Sequence, residues 1–165
     1  MPPRLTMLRS EPAVRAHRGR RGDGNGSGSV PKCLSCVLLA DRHHGLTEGV
    51  RGLLATAFES VVMVADEASL IEGACRLQPD VAIVDLSLAR DSNLNWLQAL
   101  RESCPGLKVI VLSVHDEQSV RDAVMRAGAD AFLLKRAIAT DLLPAVAAVR
   151  RDPGAPASTE HQNKT

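Results

Sequence analysis

The 165-residue chain has no tyrosine, one tryptophan and two phenylalanines, and it lacks several segments that would place it outside the ordinary globular class. No stretch approaches the ~18 consecutive apolar residues that a membrane span needs. The N-terminus has no apolar core of a secretory signal, so the chain reads as cytoplasmic with no membrane partner. Its four cysteines, Cys33, Cys36, Cys75 and Cys104, include one "CLSC" pair. No second CxxC or paired histidine follows at zinc-ligand spacing, and they read as structural cysteines. Glycine-rich phosphate cradles are missing too. The stretch "DRHHG" at 41–45 carries neither GxGxxG nor GxxxxGK[ST], which removes the backbone from which a Rossmann or P-loop nucleotide site is built.

What is present is one domain's worth of core with uneven ends. Apolar residues make up 45% and charged residues 24% of the chain, and the formal net charge is +1. Residues 1–32 hold seven Lys/Arg against Glu11 and Asp23, leaving thirteen against seventeen for the rest. That arm has no aromatics and no apolar face, so it reads as a solvated, disordered extension rather than a nucleic-acid or membrane ligand. It runs into "GDGNGSGSVP" at 22–31, a flexible Gly/Ser linker. The chain therefore divides into a basic arm and linker over 1–33, a domain over 34–151 and a polar tail over 152–165.

Within the domain, short apolar runs alternate with helical stripes. The runs are "CVLLA" (36–40), "VVMVA" (61–65), "VAIVDL" (81–86), "KVIVLS" (108–113) and "AFLLK" (131–135). They are continuous rather than alternating, as strands buried on both faces must be. Between and after them run five stripes at helical spacing: Leu46, Val50, Leu53, Leu54 and Phe58; Leu70, Ile71, Ala74 and Leu77; Leu94, Leu97 and Leu100; Val120, Ala123, Val124 and Ala127; and Leu142, Leu143, Val146 and Val149. Breakers such as "QPD" (78–80), "CPG" (104–106) and "AGAD" (127–130) separate the elements. The pattern is βαβαβαβαβα, an α/β doubly wound parallel sheet of five strands with five helices on its two faces.

Chemistry in such a sheet is expected just beyond the carboxyl ends of the strands. The residues there are Asp41, Asp66 and Glu67, Asp85, Ser113 and Lys135. An aspartate at a strand end can attack a phosphoryl group to give an acyl phosphate. Phosphoryl transfer asks mainly for positioned positive charge and hydrogen-bond donors, which Lys135 and Ser113 can supply. Each residue alone is an ordinary turn cap or solvent-facing group; three together at successive strand ends are harder to dismiss.

These segments resemble the receiver domain of two-component response regulators, in the branch usually joined to a helix-turn-helix output domain. "VLLADRHHGLTEGVRGLL" resembles the family's first strand and helix, and "PDVAIVDLSL" its phospho-acceptor strand. "KVIVLSVHDEQSV" matches the hydroxyl-bearing strand, and "AGADAFLLK" the Gly-Ala-Asp and lysine segment. The likeness covers residues 36–150. It implies a flavodoxin-like sheet in the order 2-1-3-4-5, with Asp85 as phospho-acceptor, Ser113 as switch hydroxyl, Lys135 as phosphate-binding lysine and Phe132 as switch aromatic. It also implies Mg²⁺ held by Asp41, Asp85 and the Ser87 backbone carbonyl, with a sensor histidine kinase or phosphotransfer protein as phosphodonor.

The departures from the family pattern are specific. Arg42 stands where the family has its second acid, which removes a magnesium ligand and adds a charge that repels the ion. Mg²⁺ is therefore expected to be weakened or absent, with Arg42 either pairing with Asp41 or Asp85 or turned to solvent. Ala89 and Asn93 replace the usual proline and glycine, and no proline follows Lys135 closely.

The leading expectation is a non-enzymatic, single-domain response regulator that signals through a partner-binding face made by the fourth helix, fifth strand and fifth helix. Its downstream protein target is not named by the sequence, and DNA binding is not expected without an output domain. Two alternatives stay open: a phosphorylation- or metal-independent pseudo-receiver acting as an adaptor, and an aspartate-nucleophile phosphatase. Ser87, where that chemistry normally has a second acid, weighs against the phosphatase.

Overall fold

The computed structural model describes residues 35–91 and 93–151. The basic arm, the linker, the C-terminal tail and Cys33 lie outside these described residues. Five parallel strands, β1 (Cys36–Ala40), β2 (Ser60–Val64), β3 (Val81–Asp85), β4 (Lys108–Ser113) and β5 (Ala131–Leu134), form one sheet in the order β2-β1-β3-β4-β5. Five helices connect and follow them: α1 (His44–Leu54), α2 (Glu67–Leu77), α3 (Asn95–Ser103), α4 (Gln118–Arg126) and α5 (Ile138–Arg151). The order reverses direction at β1, whose neighbours are β2 and β3.

Alternate residues of the continuous apolar strands serve two separate cores, because side chains point to opposite faces at period two. Leu38, Ala40, Ala82, Val84, Val109 and Val111 pack with Leu70 and Ala74 of α2, Trp96, Leu97 and Leu100 of α3 and Val124 of α4. Val37, Leu39, Val81, Ile83, Ile110 and Leu112 pack with Val50 and Leu54 of α1 and with Leu142, Val146 and Val149 of α5. Trp96 is buried as a packing residue, and its indole N–H has no hydrogen-bond partner among the described residues.

Three strands differ from the sequence expectation by single residues at their ends. β2 begins at Ser60 and stops at Val64, one residue early at each end. β3 stops at Asp85 because its side chain accepts from the Ser87 N–H and opens a 3-10 turn over Leu86–Leu88. β5 stops at Leu134, and Lys135 begins a second 3-10 turn over Lys135–Ala137. Phe58 is buried in the core but lies beyond α1, which ends at Leu54; Leu94 likewise precedes α3 rather than belonging to it. Gln78 closes α2 in the left-handed conformation at φ 46°.

The "AGAD" breaker is a tie rather than a simple turn. Gly128 has φ +110°, a conformation that favours glycine, and a Cβ there would meet Arg101 Cγ at 3.2 Å. Arg101 donates to the carbonyl of Gly128 at 2.6 Å, to that of Leu107 and to the Asp130 carboxylate. Asp130 also accepts from the Val109 N–H at 2.7 Å and faces Lys108 at 3.6 Å. This network pins the loop after α4 to the start of β4, and so sets where β5 emerges.

No helix among the described residues is long and apolar enough to cross a membrane.

Candidate functional site

Parallel pairing brings the carboxyl ends of β1, β3, β4 and β5 to one edge, through registers such as Ala40↔Val84, Asp85↔Leu112 and Ser113↔Leu134. Each of the first three ends in the same local device. The side-chain oxygen of Asp41 accepts from the His43 N–H at 2.8 Å, that of Asp85 from Ser87 N–H at 3.0 Å, and that of Ser113 from His115 N–H at 2.9 Å. A short polar side chain that bonds the backbone two residues on ends a strand and holds its own rotamer. The sequence places these three residues for turn geometry, and the topology then makes them neighbours.

Asp41, Asp85 and Ser113 are all buried, at 6%, 2% and 1% exposure. Burying carboxylates requires compensation. Lys135, the first residue after β5, provides it: its Nζ donates to Asp85 Oδ2 and lies 4.0 Å from Asp41 Oδ2. Burial works to raise the Asp85 pKa, but the Lys135 ammonium and the Ser87 N–H outweigh it and hold the carboxyl below its ordinary value. Asp85 is thus an anion at neutral pH, with one oxygen fixed by backbone and the other facing a cation.

Arg42 does not pair with Asp41 or Asp85, the pairing weighed from sequence. Among the described residues its guanidinium Nη1 instead donates to the Ser87 backbone carbonyl at 3.3 Å. That carbonyl is the one expected among the magnesium ligands. Arg42 also lines a cavity of about 630 Å³ with Asp85, Ser87, Ser113 and residues of α4.

Sequence reasoning passed over His43. Its Nδ1 lies 3.6 Å from Asp41 Oδ1 and 3.9 Å from Asp85 Oδ2, and the side chain is exposed. One ligand atom each from Asp41, His43 and Asp85 lies within 4.8 Å of the others, so these three could hold a metal ion. The available signal was position: His43 is two residues after Asp41 and is held by the same turn.

Phe132 sits apart from this group, in the middle of β5, buried at 4% with the Arg121 guanidinium 5.0 Å over its ring. Asp66 and Glu67 are not drawn in. Asp66 caps α2 by accepting from Ser69 N–H at 2.8 Å, and that bond keeps its carboxyl below its ordinary pKa.

A family model described as the response regulator receiver domain matches residues 37–147. The nitrate/nitrite response regulator protein NarP of Escherichia coli is 39% identical over 114 residues, which take in 68% of this chain and 53% of that protein. The transcriptional regulatory protein DegU of Brevibacillus brevis is 32% identical over 115 residues, 68% of this chain and 49% of that protein. The chain spans about half the length of these curated relatives. Among solved structures, the signal receiver domain of the response regulator NarL from Mycobacterium tuberculosis superposes with a TM-score of 0.63 at 28% identity, covering 73% of this chain and 98% of that one.

Proposed function

The chain belongs to the response regulator receiver domain family, and from that premise we propose that its 34–151 unit accepts a phosphoryl group on Asp85 from a sensor histidine kinase or phosphotransfer protein. The observation that carries this reading is the Lys135 contact on Asp85 Oδ2, with Asp41 beside it and Ser113 lining the same cavity as Asp85. A buried carboxylate kept ionised by a lysine is a nucleophile already beside the cation its product needs.

The step is an in-line displacement. A carboxylate oxygen of Asp85 attacks phosphorus, the N–P bond of a phosphohistidine breaks, and the imidazole leaves with the electron pair and takes up a proton. Lys135 turns from the carboxylate to the new phosphoryl oxygens. Ser113 accepts from His115 N–H, which leaves its hydroxyl proton free to be donated to the phosphoryl group. That movement pulls on the Ser113–His115 turn, which leads into α4 and the Arg121–Phe132 contact. The signalling surface is accordingly the face of α4, β5 and α5, read by a protein partner.

Receiver domains bind Mg²⁺ at an acidic pocket; in this chain the residues fit that ion poorly. Magnesium takes hard oxygen ligands in a near-ideal octahedron. Here Arg42 occupies the Ser87 carbonyl, and Lys135 faces both remaining carboxylates. Lys135 faces both Asp41 and Asp85 and Arg42 lines the same cavity as Asp85, so phosphoryl charge is met by side-chain cations in place of a bound metal. The same Arg42–Ser87 bond favours a second reading, in which the pocket is locked and the face acts as an adaptor without phosphorylation.

Incubation with a small phosphodonor such as phosphoramidate, with and without Mg²⁺, tests both. Modification that is abolished by Asp85→Ala and depends little on Mg²⁺ supports the first reading. No modification under either condition leaves the adaptor.

A further inference from the structure

At the opposite edge of the sheet from the phosphoryl pocket, two cysteines from different helices meet. Cys75 lies in the last turn of α2, and Cys104 caps α3 twenty-nine residues later; their sulfurs are 3.5 Å apart. Cys75 is exposed and Cys104 half-buried, while Cys36 is fully buried at the start of β1. The sequence expectation treated all the cysteines as structural and did not bring Cys75 and Cys104 together. A cavity of about 390 Å³ opens beside them, lined by Gln78, Pro79, Ser103, Pro105 and both cysteines. Two thiols in contact, one of them facing solvent beside an open hollow, constitute a reactive arrangement rather than a packing one.

We propose that Cys75 and Cys104 form a thiol-modification site that a two-electron oxidant of the peroxide class converts to an intrachain disulfide strapping α2 to α3. The exposed Cys75 sulfur attacks the peroxide O–O bond, giving a sulfenic acid and releasing water. Cys104 then attacks that sulfur, forming the S–S bond and expelling a second water. Two thiols are oxidised by two electrons and one peroxide is reduced to two waters. Closing from contact to bond length requires a movement of ~1.5 Å, available to side chains at two helix ends. Burial, then the neighbouring Cys75 thiol, push the Cys104 thiol up to about 11. Cys75 is thus the first sulfur to react, and the second step accelerates as pH rises. The reduced state is the resting one in a reducing compartment, and the strap forms under oxidative load.

The test uses the full chain carrying Cys33→Ser, so that the thiol outside the pair is the buried Cys36. Hydrogen peroxide is added at pH 7 and pH 9, followed by thiol titration and peptide mapping without reductant. The expected result is loss of two titratable thiols per chain, a cross-linked peptide joining Cys75 to Cys104 in the monomer, and full reversal by dithiothreitol. The rate should be several-fold faster at pH 9. Strapping should also raise the melting temperature by several degrees, since it closes a loop of about 30 residues in the unfolded chain. Cys75→Ser, at an exposed position, should abolish the cross-link without loss of fold. Phenylarsine oxide, which bridges paired thiols, should bind the reduced parent once per chain and not bind Cys75→Ser. Sulfinic acid at Cys75 without a cross-link, disulfide-linked dimers alone, or no arsenical binding would each overturn the proposal.

Discussion

Arg42 donates from Nη1 to the backbone carbonyl of Ser87 at 3.3 Å, across a sequence separation of 45 residues. The bond joins the loops after β1 and β3 at the position where receiver domains hold a cation. Replacing the guanidinium with a carboxylate both frees the carbonyl and supplies an acid. Arg42→Asp is expected to bind Mg²⁺ at least tenfold more tightly than the parent, read by calorimetry or by quenching of the single tryptophan. Its modification by phosphoramidate should become strongly Mg²⁺-dependent. Equal Mg²⁺ affinity in parent and variant would show that Arg42 does not exclude the ion.

The depressed Asp85 carboxyl makes a signed prediction for acid stability. A group whose pKa is lower folded than unfolded contributes stability that is full above the unfolded value and is lost as pH falls through the folded one. The ordinary value is 3.8, and Lys135 and the Ser87 N–H hold the folded one below it. The parent should therefore lose stability more steeply than Asp85→Asn as pH is lowered below about 4, with the two curves parallel near neutrality. Urea midpoints across that range provide the measurement. Parallel curves throughout would mean that Asp85 titrates alike in both states.

The five strands were legible in the sequence because burial on both faces writes itself as continuous apolar runs; their order was implied by the resemblance to receiver domains and is the one observed. "CVLLA" and "KVIVLS" coincide with β1 and β4 to the residue. At β3 the end moved because a side-chain turn at Asp85, not hydrophobicity, sets it. Asp41, Asp85, Ser113 and Lys135 were legible as a group because topology alone brings strand ends together. The Arg42–Ser87 bond, the approach of His43 to both carboxylates and the Cys75–Cys104 contact were not. Each depends on a rotamer or on helix packing, and periodicity carries no information on either.

Arg101 is the organising cation of the loop between α4 and β5, and it was invisible in a helix read only for its apolar stripe. Its guanidinium joins Gly128, Leu107 and Asp130. Arg101→Ala would leave Asp130, 19% exposed at its side chain, with Lys108 at 3.6 Å as its remaining charge partner. Removing one member of a largely buried, hydrogen-bonded pair is expected to cost about 2–4 kcal/mol. Arg101→Lys should recover only a fraction, because one ammonium cannot reach three acceptors in a plane. Chemical denaturation of the two variants checks the size and the order of the losses.

Lys135 holds together two carboxylates that would otherwise repel each other, and this gives a prediction linking stability to ion binding. Asp41 and Asp85 are 6% and 2% exposed, and Lys135 Nζ is the cation that contacts Asp85 and approaches Asp41. Lys135→Met keeps the length and apolar stem of the side chain but removes its charge. The variant is expected to be destabilised by about 3–5 kcal/mol at neutral pH, the cost of leaving a buried charge unpaired. Two uncompensated carboxylates, with the His43 imidazole beside them, then form a site short of positive charge. Divalent ions should bind the variant at least tenfold more tightly than the parent and restore much of the lost stability, since a ligand that binds only the folded state stabilises it by mass action. Mn²⁺ and Zn²⁺ should rescue better than Mg²⁺, because an imidazole suits those ions and not the hard one. Melting temperatures of parent and variant, measured with each ion and with a chelator, decide the matter. A variant that is neither destabilised nor rescued would show that the lysine does not balance the acids. Rescue by all three ions alike would remove His43 from the ligand set.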